Sequence, residues 1–403
     1  MNAQLILVLS SGLAFYLAWN LGANDVANSM GTSVGSKAVT LKQALIIAGI
    51  LEFTGAVLFG SNVSQTLITG VLDPKQFTPQ ILLIGMIAVL IAAGVWMNVA
   101  TLFGFPVSSS HATVGAVAGV GSLAFGLDAV NWNTIGIISI TWIITPVVSS
   151  LIAAAFYSVI KRWILDQPNA IAQLQEWIPW ISAVLIGVFG VIVFPEIAQP
   201  IQSLINLPIQ NIALVLSAIS ISALSLSALQ NLQTVESTIG RFQVVSACFV
   251  AFAHGSNDVG NAIAPFAAIV SVLQSGSVPT ADFQIPLWTL VLGGVGIVAG
   301  LAVLGKRVIS TIGEGIISLQ PSGGLCAELA TATTILVASR FGLPVSTSHA
   351  LVGGVVGVGL VQGLKSIQFQ TIRSIVLTWL ITIPVSAILS GILFLILRSI
   401  FVA

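Results

Sequence analysis

Two stretches decide the reading of this chain: Gly22-Ala-Asn24-Asp25-Val-Ala-Asn28-Ser-Met and Gly255-Ser-Asn257-Asp258-Val-Gly-Asn261-Ala-Ile. Each places Asn, Asp and Asn at relative positions 0, 1 and 4. On a helix the two amides then stack on one face, and the carboxylate lies beside the second of them at an i,i+3 step. Each copy so gathers one carboxylate and two amide oxygens. Both copies stand among apolar residues, where an ionisable side chain is costly and marks a functional site by default.

The surrounding composition fixes the setting. Of 403 residues, 56% are hydrophobic and only 6% are charged, and the mean hydropathy is +1.08; a soluble domain would be about 25% charged. The chain reads as an all-α, polytopic membrane protein of about twelve transmembrane helices, at roughly 20 apolar residues per span. The N-terminus, Met1 to Asn20, lacks a basic leader and is expected to be a first span. A formal net charge of zero excludes charge-driven nucleic-acid binding. Cys248 and Cys326 lie in apolar runs without metal-type spacing and read as buried thiols. Basic residues are too scattered to fix orientation.

Apolar segments fall at about 4–22, 43–60, 80–103, 107–127, 135–160, 179–194, 209–229, 242–253, 262–273, 287–305, 323–339, 344–361 and 372–402. Loops are expected at 73–79, 131–133, 195–208, 275–286 and 365–370, with 161–179 as the connector between halves. The chain repeats itself. Phe105-Pro106-Val-Ser108-Ser109-Ser110-His111-Ala-Thr-Val-Gly115 returns as Leu343-Pro344-Val-Ser346-Thr347-Ser348-His349-Ala-Leu-Val-Gly353. Thr141-Trp142-Ile-Ile-Thr145-Pro146 returns as Thr378-Trp379-Leu-Ile-Thr382-Ile-Pro384. Three ordered pairs at nearly constant offset divide the chain into a first repeat (1–160), a connector with central helices (161–240) and a second repeat (241–403). Duplicated halves with interrupted or re-entrant helices are the pattern of secondary transporters, in which the repeats are commonly inverted.

The serine segments read as helix N-termini inside the membrane. Pro suits a first turn, Ser and Thr cap it, and a small-residue helix follows. Free N–H groups and the positive end of the helix dipole make such a terminus an anion site. Two of them facing each other would surround a tetrahedral oxyanion with donors; the bland alternative is capping plus helix contacts in lipid. The Asn-Asp-x-x-Asn clusters offer hard oxygen ligands for Na⁺, or a carboxylate that takes a proton. No Lys or Arg lies in either serine motif, and Arg340 near the second has only Leu102 as its counterpart. An anion beside Asp25 and Asp258 therefore needs positive charge from solution, which points to symport.

Glu52 and Glu328 are further buried acids, each a candidate cation ligand, proton site or structural hydrogen-bond partner. His111 and His349 read as structural support rather than a proton relay. Gln65, Gln230 and Asn231 have no assignment. An enzyme is not expected: there is no Gly-x-Ser-x-Gly elbow, and adjacent Ser110 and His111 diverge on a helix. An anion channel would use similar polar rings without needing duplicated cation sites.

These motifs resemble the inorganic phosphate transporter (PiT) family, over essentially the whole chain from Asn20. The resemblance implies a symporter of inorganic phosphate, coupled to Na⁺ or H⁺, with inverted repeats, alternating access and no further cofactor. It implies phosphate contacts at Ser108, Ser109, Ser110, Ser346, Thr347 and Ser348, joined by Asn24 and Asn257. Asn24, Asp25, Asn28, Asn257, Asp258 and Asn261 would bind Na⁺. It also implies a homodimer and, without a large central domain, a prokaryotic plasma-membrane permease. Some relatives in that family carry sulfate, and the motifs leave that substrate open.

Overall fold

The computed structural model describes residues 2–73, 76–105, 107–205, 207–280, 283–312 and 317–401. Within them the chain is helical apart from an isolated bridge between Leu72 and Val130. The helices are α1 (Ala3–Gly35), α2 (Leu41–Thr69), α3 (Pro79–Leu102), α4 (Ser109–Phe125), α5 (Trp132–Ile160, prolonged by a π turn Lys161–Leu165), α6 (Ala170–Ile192), α7 (Phe194–Ile205), α8 (Ile209–Gln230), α9 (Val235–Ser275), α10 (Leu287–Ile312), α11 (Pro321–Arg340), α12 (Thr347–Gln362) and α13 (Phe369–Phe401). Among the described residues ten helices are long and apolar enough to cross a membrane. The protein is an integral, multi-pass membrane protein.

Against the thirteen apolar segments of the sequence, ten helices among the described residues meet that length and composition, and the boundaries differ in two ways. The segments 242–253 and 262–273 are one helix, the 41-residue α9, and the polar Asn257-Asp258 stretch lies mid-helix. The short α4 and α12, of 17 and 16 residues, fall below the length of a span. Residues 195–208 carry the amphipathic α7 rather than a plain loop, and α6 begins at Ala170 with Pro179 inside it. Pro74, Lys75 and Pro106 lie outside the described residues.

The interruptions have a local cause. After α3 and α11 the chain turns through Gly104 (φ +68°) and Gly342 (φ +67°), a left-handed conformation that only glycine adopts without penalty. Each closes the helix in the same way: Phe105 N–H reaches Ala100 O at 2.8 Å, and Leu343 N–H reaches Ala338 O at 3.0 Å. Restarting is equally matched. Ser108 caps α4 by accepting from His111 N–H, and Ser346 caps α12 by accepting from His349 N–H, both at 3.3 Å.

The two halves exchange partners. α1 packs on α10 and α2 on α9, while α4 packs on α13 and α12 on α5. Small residues set these approaches. A Cβ at Gly22 would lie 2.0 Å from Ile297 O, and one at Gly255 would lie 2.0 Å from Glu52 O. Gly115 and Gly119 meet the α13 backbone at Ile383 and Ala387 as Gly353 and Gly357 meet α5 at Pro146 and Ser150. Backbone-to-backbone contact through glycine is how helices associate without a hydrophobic drive from lipid. The result brings the middles of α1 and α9 to the N-termini of α4 and α12.

Candidate functional site

Asp25 and Asp258, though 233 residues apart, face one another across the α1–α9 contact. Oxygen atoms of both carboxylates and a ring nitrogen of His254 lie within 4.8 Å of each other, and all three side chains are buried. Asp25 Oδ1 accepts from Asn28 Nδ2 at 3.2 Å. Asp258 Oδ2 accepts from Thr347 Oγ1 at 3.2 Å and Ser109 Oγ at 3.4 Å. One carboxylate oxygen therefore gathers the first hydroxyls of both short helices. Asn261 Nδ2 donates to Ser109 Oγ and Ser110 Oγ, each at 3.3 Å.

The outer amides are held alike in both halves. Asn24 Nδ2 donates to Thr101 Oγ1 (3.0 Å) and Phe105 O (3.3 Å); Asn257 Nδ2 donates to Ser339 Oγ (3.0 Å) and Leu343 O (3.3 Å). Each clamps the glycine turn before a serine segment. Ser110 Oγ donates to Val345 O at 2.8 Å, tying the two segments together, and Ser346 and Ser348 share a 3.0 Å bond. All the expected serine, asparagine and aspartate residues are thus in one place.

Four acceptors in this cluster have no donor: Asp25 Oδ2, Asp258 Oδ1, Asn257 Oδ1 and Asn261 Oδ1. A buried oxygen left in this state costs about 1–3 kcal/mol, and more when charged. Oxygen acceptors without donors are what a hard cation requires. Among the described residues no Lys or Arg pairs with these acids; Arg340 instead meets Glu196 of α7 at 2.6 Å, in an exposed contact.

The two further acids separate. Glu52 joins the site through His254, whose Nδ1 lies 3.3 Å from Glu52 Oε1 and whose Nε2 lies 2.9 Å from Asp258 Oδ2. Ser29 Oγ also donates to Glu52 Oε1, at 2.8 Å. Glu328 belongs to a different buried cluster, where it accepts from Thr32, Ser33 and Gln243 on one oxygen and Ser246 on the other. Both are asymmetric features: packing sets Ile297 where Glu52 would repeat, and the repeat offsets place Leu90 opposite Glu328 and Leu21 opposite His254. Sequence reasoning missed His254, although its i,i+4 spacing from Asp258 was a legible signal.

His111 and His349 sit in the first turns of α4 and α12. Pro146 has no N–H to give to Trp142 O, four residues earlier, and His349 Nδ1 takes that place at 2.8 Å. His111 Nδ1 reaches Trp379 O at 3.2 Å. The rings contact one another in series: Trp142 and His111 tilted (3.9 Å between centroids), His111 and His349 edge to face (4.8 Å), His349 and Trp379 tilted (3.6 Å).

Residues 21–390 match the phosphate transporter family. The chain is 40% identical to inorganic phosphate transporter 2-1, chloroplastic, of Arabidopsis thaliana, covering 93% of this chain and 69% of that protein. A solved structure, the sodium-dependent phosphate transporter, superposes with a TM-score of 0.90 at 37% identity, covering 98% of this chain and all of that one. On the match across most of its length, this chain belongs to the phosphate transporter family.

Proposed function

We propose that this transporter is a secondary active symporter that moves inorganic phosphate together with Na⁺ by alternating access between two inverted halves, 1–160 and 241–403. The observation that carries this reading is the set of donor-free buried oxygens on Asp25, Asp258, Asn257 and Asn261, beside two serine-capped helix N-termini and, among the described residues, with no Lys or Arg ion-paired to either aspartate. A phosphate at those N-termini would be repelled by the aspartates unless cations bound with it. Na⁺ is preferred because the ligand set is oxygen, and because the structural neighbour is named as sodium-dependent.

In this assignment Ser108, Ser109, Ser110, Ser346, Thr347 and Ser348 receive phosphate, with Asn24 and Asn257 at its edges. Ser108 and Ser346 act through their helix caps; Ser109 and Thr347 turn their hydroxyls from Asp258 to the anion. Asn24, Asp25, Asn28, Asn257, Asp258 and Asn261 hold Na⁺, and His254 with Glu52 buttresses the Asp258 side. Glu328, saturated by four donors, holds α1, α9 and α11 together. Reciprocal packing of the halves supports the inverted arrangement, since it gives the rocking helices equivalent partners on either side.

The test is uptake of labelled phosphate into liposomes holding the purified protein, under an inward Na⁺ gradient, under a proton gradient, and under neither. Accumulation driven by Na⁺ alone is expected. Accumulation driven by protons alone would recast Asp25 and Asp258 as protonation sites, and flux that follows only the phosphate gradient would indicate a channel.

A further inference from the structure

We propose that His111 and His349 determine specificity: their Nε2 lone pairs accept hydrogen bonds from the P–OH groups of phosphate, and so discriminate against tetrahedral anions that carry no proton. The inference rests on the reading that the serine N-termini hold phosphate. It begins with the tautomer. A backbone carbonyl only accepts, so Nδ1 of His111 carries hydrogen toward Trp379 O, and Nδ1 of His349 carries hydrogen toward Trp142 O. In the neutral ring the other nitrogen, Nε2, is then a bare acceptor. Two imidazolium rings would repel at a centroid distance of 4.8 Å, and no salt bridge to either histidine occurs among the described residues.

Both Nε2 atoms are buried and lack any partner, in residues only 4% and 5% exposed. Two orphan acceptors at matched positions are a cost that a packed core avoids. They lie in the first turns that present the serines, and those turns converge: Ser109 and Thr347 reach the same Asp258 oxygen, and the histidine rings touch. In the proposed phosphate site the hydroxyls and N–H groups of these two first turns supply the donors, and the histidines supply two acceptors. Monobasic phosphate has that inventory, with two P–OH donors and two unprotonated oxygens. Sulfate has the same shape and no donor. A site that pairs with a substrate hydroxyl rejects an analogue lacking it, because its own polar groups are left unpaired.

The experiment compares anion selectivity in His111→Asn, His349→Asn and the double variant. Asn keeps an N–H near the Nδ1 position for the tryptophan carbonyl and removes the distal acceptor; His→Gln at each position restores a distal acceptor. Phosphate uptake is measured against sulfate and against arsenate, which keeps its As–OH groups. The expected result is that each Asn variant narrows the preference for phosphate over sulfate about tenfold, with arsenate competition unchanged and Gln closer to wild type. An unchanged ratio would overturn the proposal, as would equal losses against sulfate and arsenate. Where uptake is lost, equilibrium binding of labelled phosphate in detergent gives the same ratio, and absence of phosphate binding in both Asn and Gln variants would assign the histidines to structure alone. Ser109→Ala and Thr347→Ala separate the two readings: unchanged phosphate affinity in both would move the anion site and overturn the proposal with it.

Discussion

Replacing Gly255 by Ala tests how tightly the site depends on the α2–α9 approach. A Cβ there would sit 2.0 Å from Glu52 O and 2.6 Å from Glu52 C and Cα. These neighbours are backbone, so they give way only if the helices part. Restoring a tolerable contact of roughly 3 Å needs a displacement of about 1 Å, an overpacking strain of about 1–3 kcal/mol. The same movement stretches the His254–Glu52 pair from 3.3 Å to beyond about 4 Å, outside ion-pair reach. Transport therefore falls more steeply than stability. The assay pairs thermal unfolding in detergent with Na⁺-driven phosphate uptake, using Gly12→Ala, which meets nothing within 4 Å, as the neutral comparison. Gly55→Ala, whose Cβ would meet Phe252 O at 2.0 Å, gives the same strain elsewhere on the interface. Wild-type melting and uptake in Gly255→Ala would refute the reasoning.

Asp25→Asn and Asp258→Asn each keep one oxygen and similar volume, so insertion and folding persist while Na⁺-driven accumulation is lost; retained sodium-dependent uptake in both would remove the aspartates from the cation sites. Arg340→Ala and Glu196→Gln break an exposed ion pair worth less than about 1 kcal/mol, and phosphate affinity should stay within about threefold of wild type. A tenfold loss in Arg340→Ala would bring positive charge back into the anion site.

Much of the site was legible because it is written twice. The spacing of Asn24, Asp25 and Asn28, matched at Asn257, Asp258 and Asn261, picked out side chains that the fold brings together, without any knowledge of packing. Less legible was what occurs once. Glu52 stood out as a buried acid, but its partner comes from α9, and neither Leu21 nor Ile297 repeats the pair. The boundaries failed where polarity mimicked a break. His254 to Asn261 interrupts the apolar run of α9, yet the helix continues because α2, α11 and the short helices provide partners for those side chains. Conversely, the exchange of partners between halves depends on glycine contacts such as Gly115 with Ile383, which have no signature beyond small size.

That exchange has a consequence for how the protein is made. Glu52 is synthesised about 200 residues before His254, and α1 and α2 before the α9 and α10 that cover them. At translation rates of about 5–20 residues per second, the first half waits on the order of 10–40 s for its partners. During that interval a carboxylate destined for the interior has neither its imidazole nor its neighbouring helix, and the glycine faces of α1 and α4 are open to lipid. The packing of the first half is then provisional until the second half arrives, and the later helices complete the fold of the earlier ones.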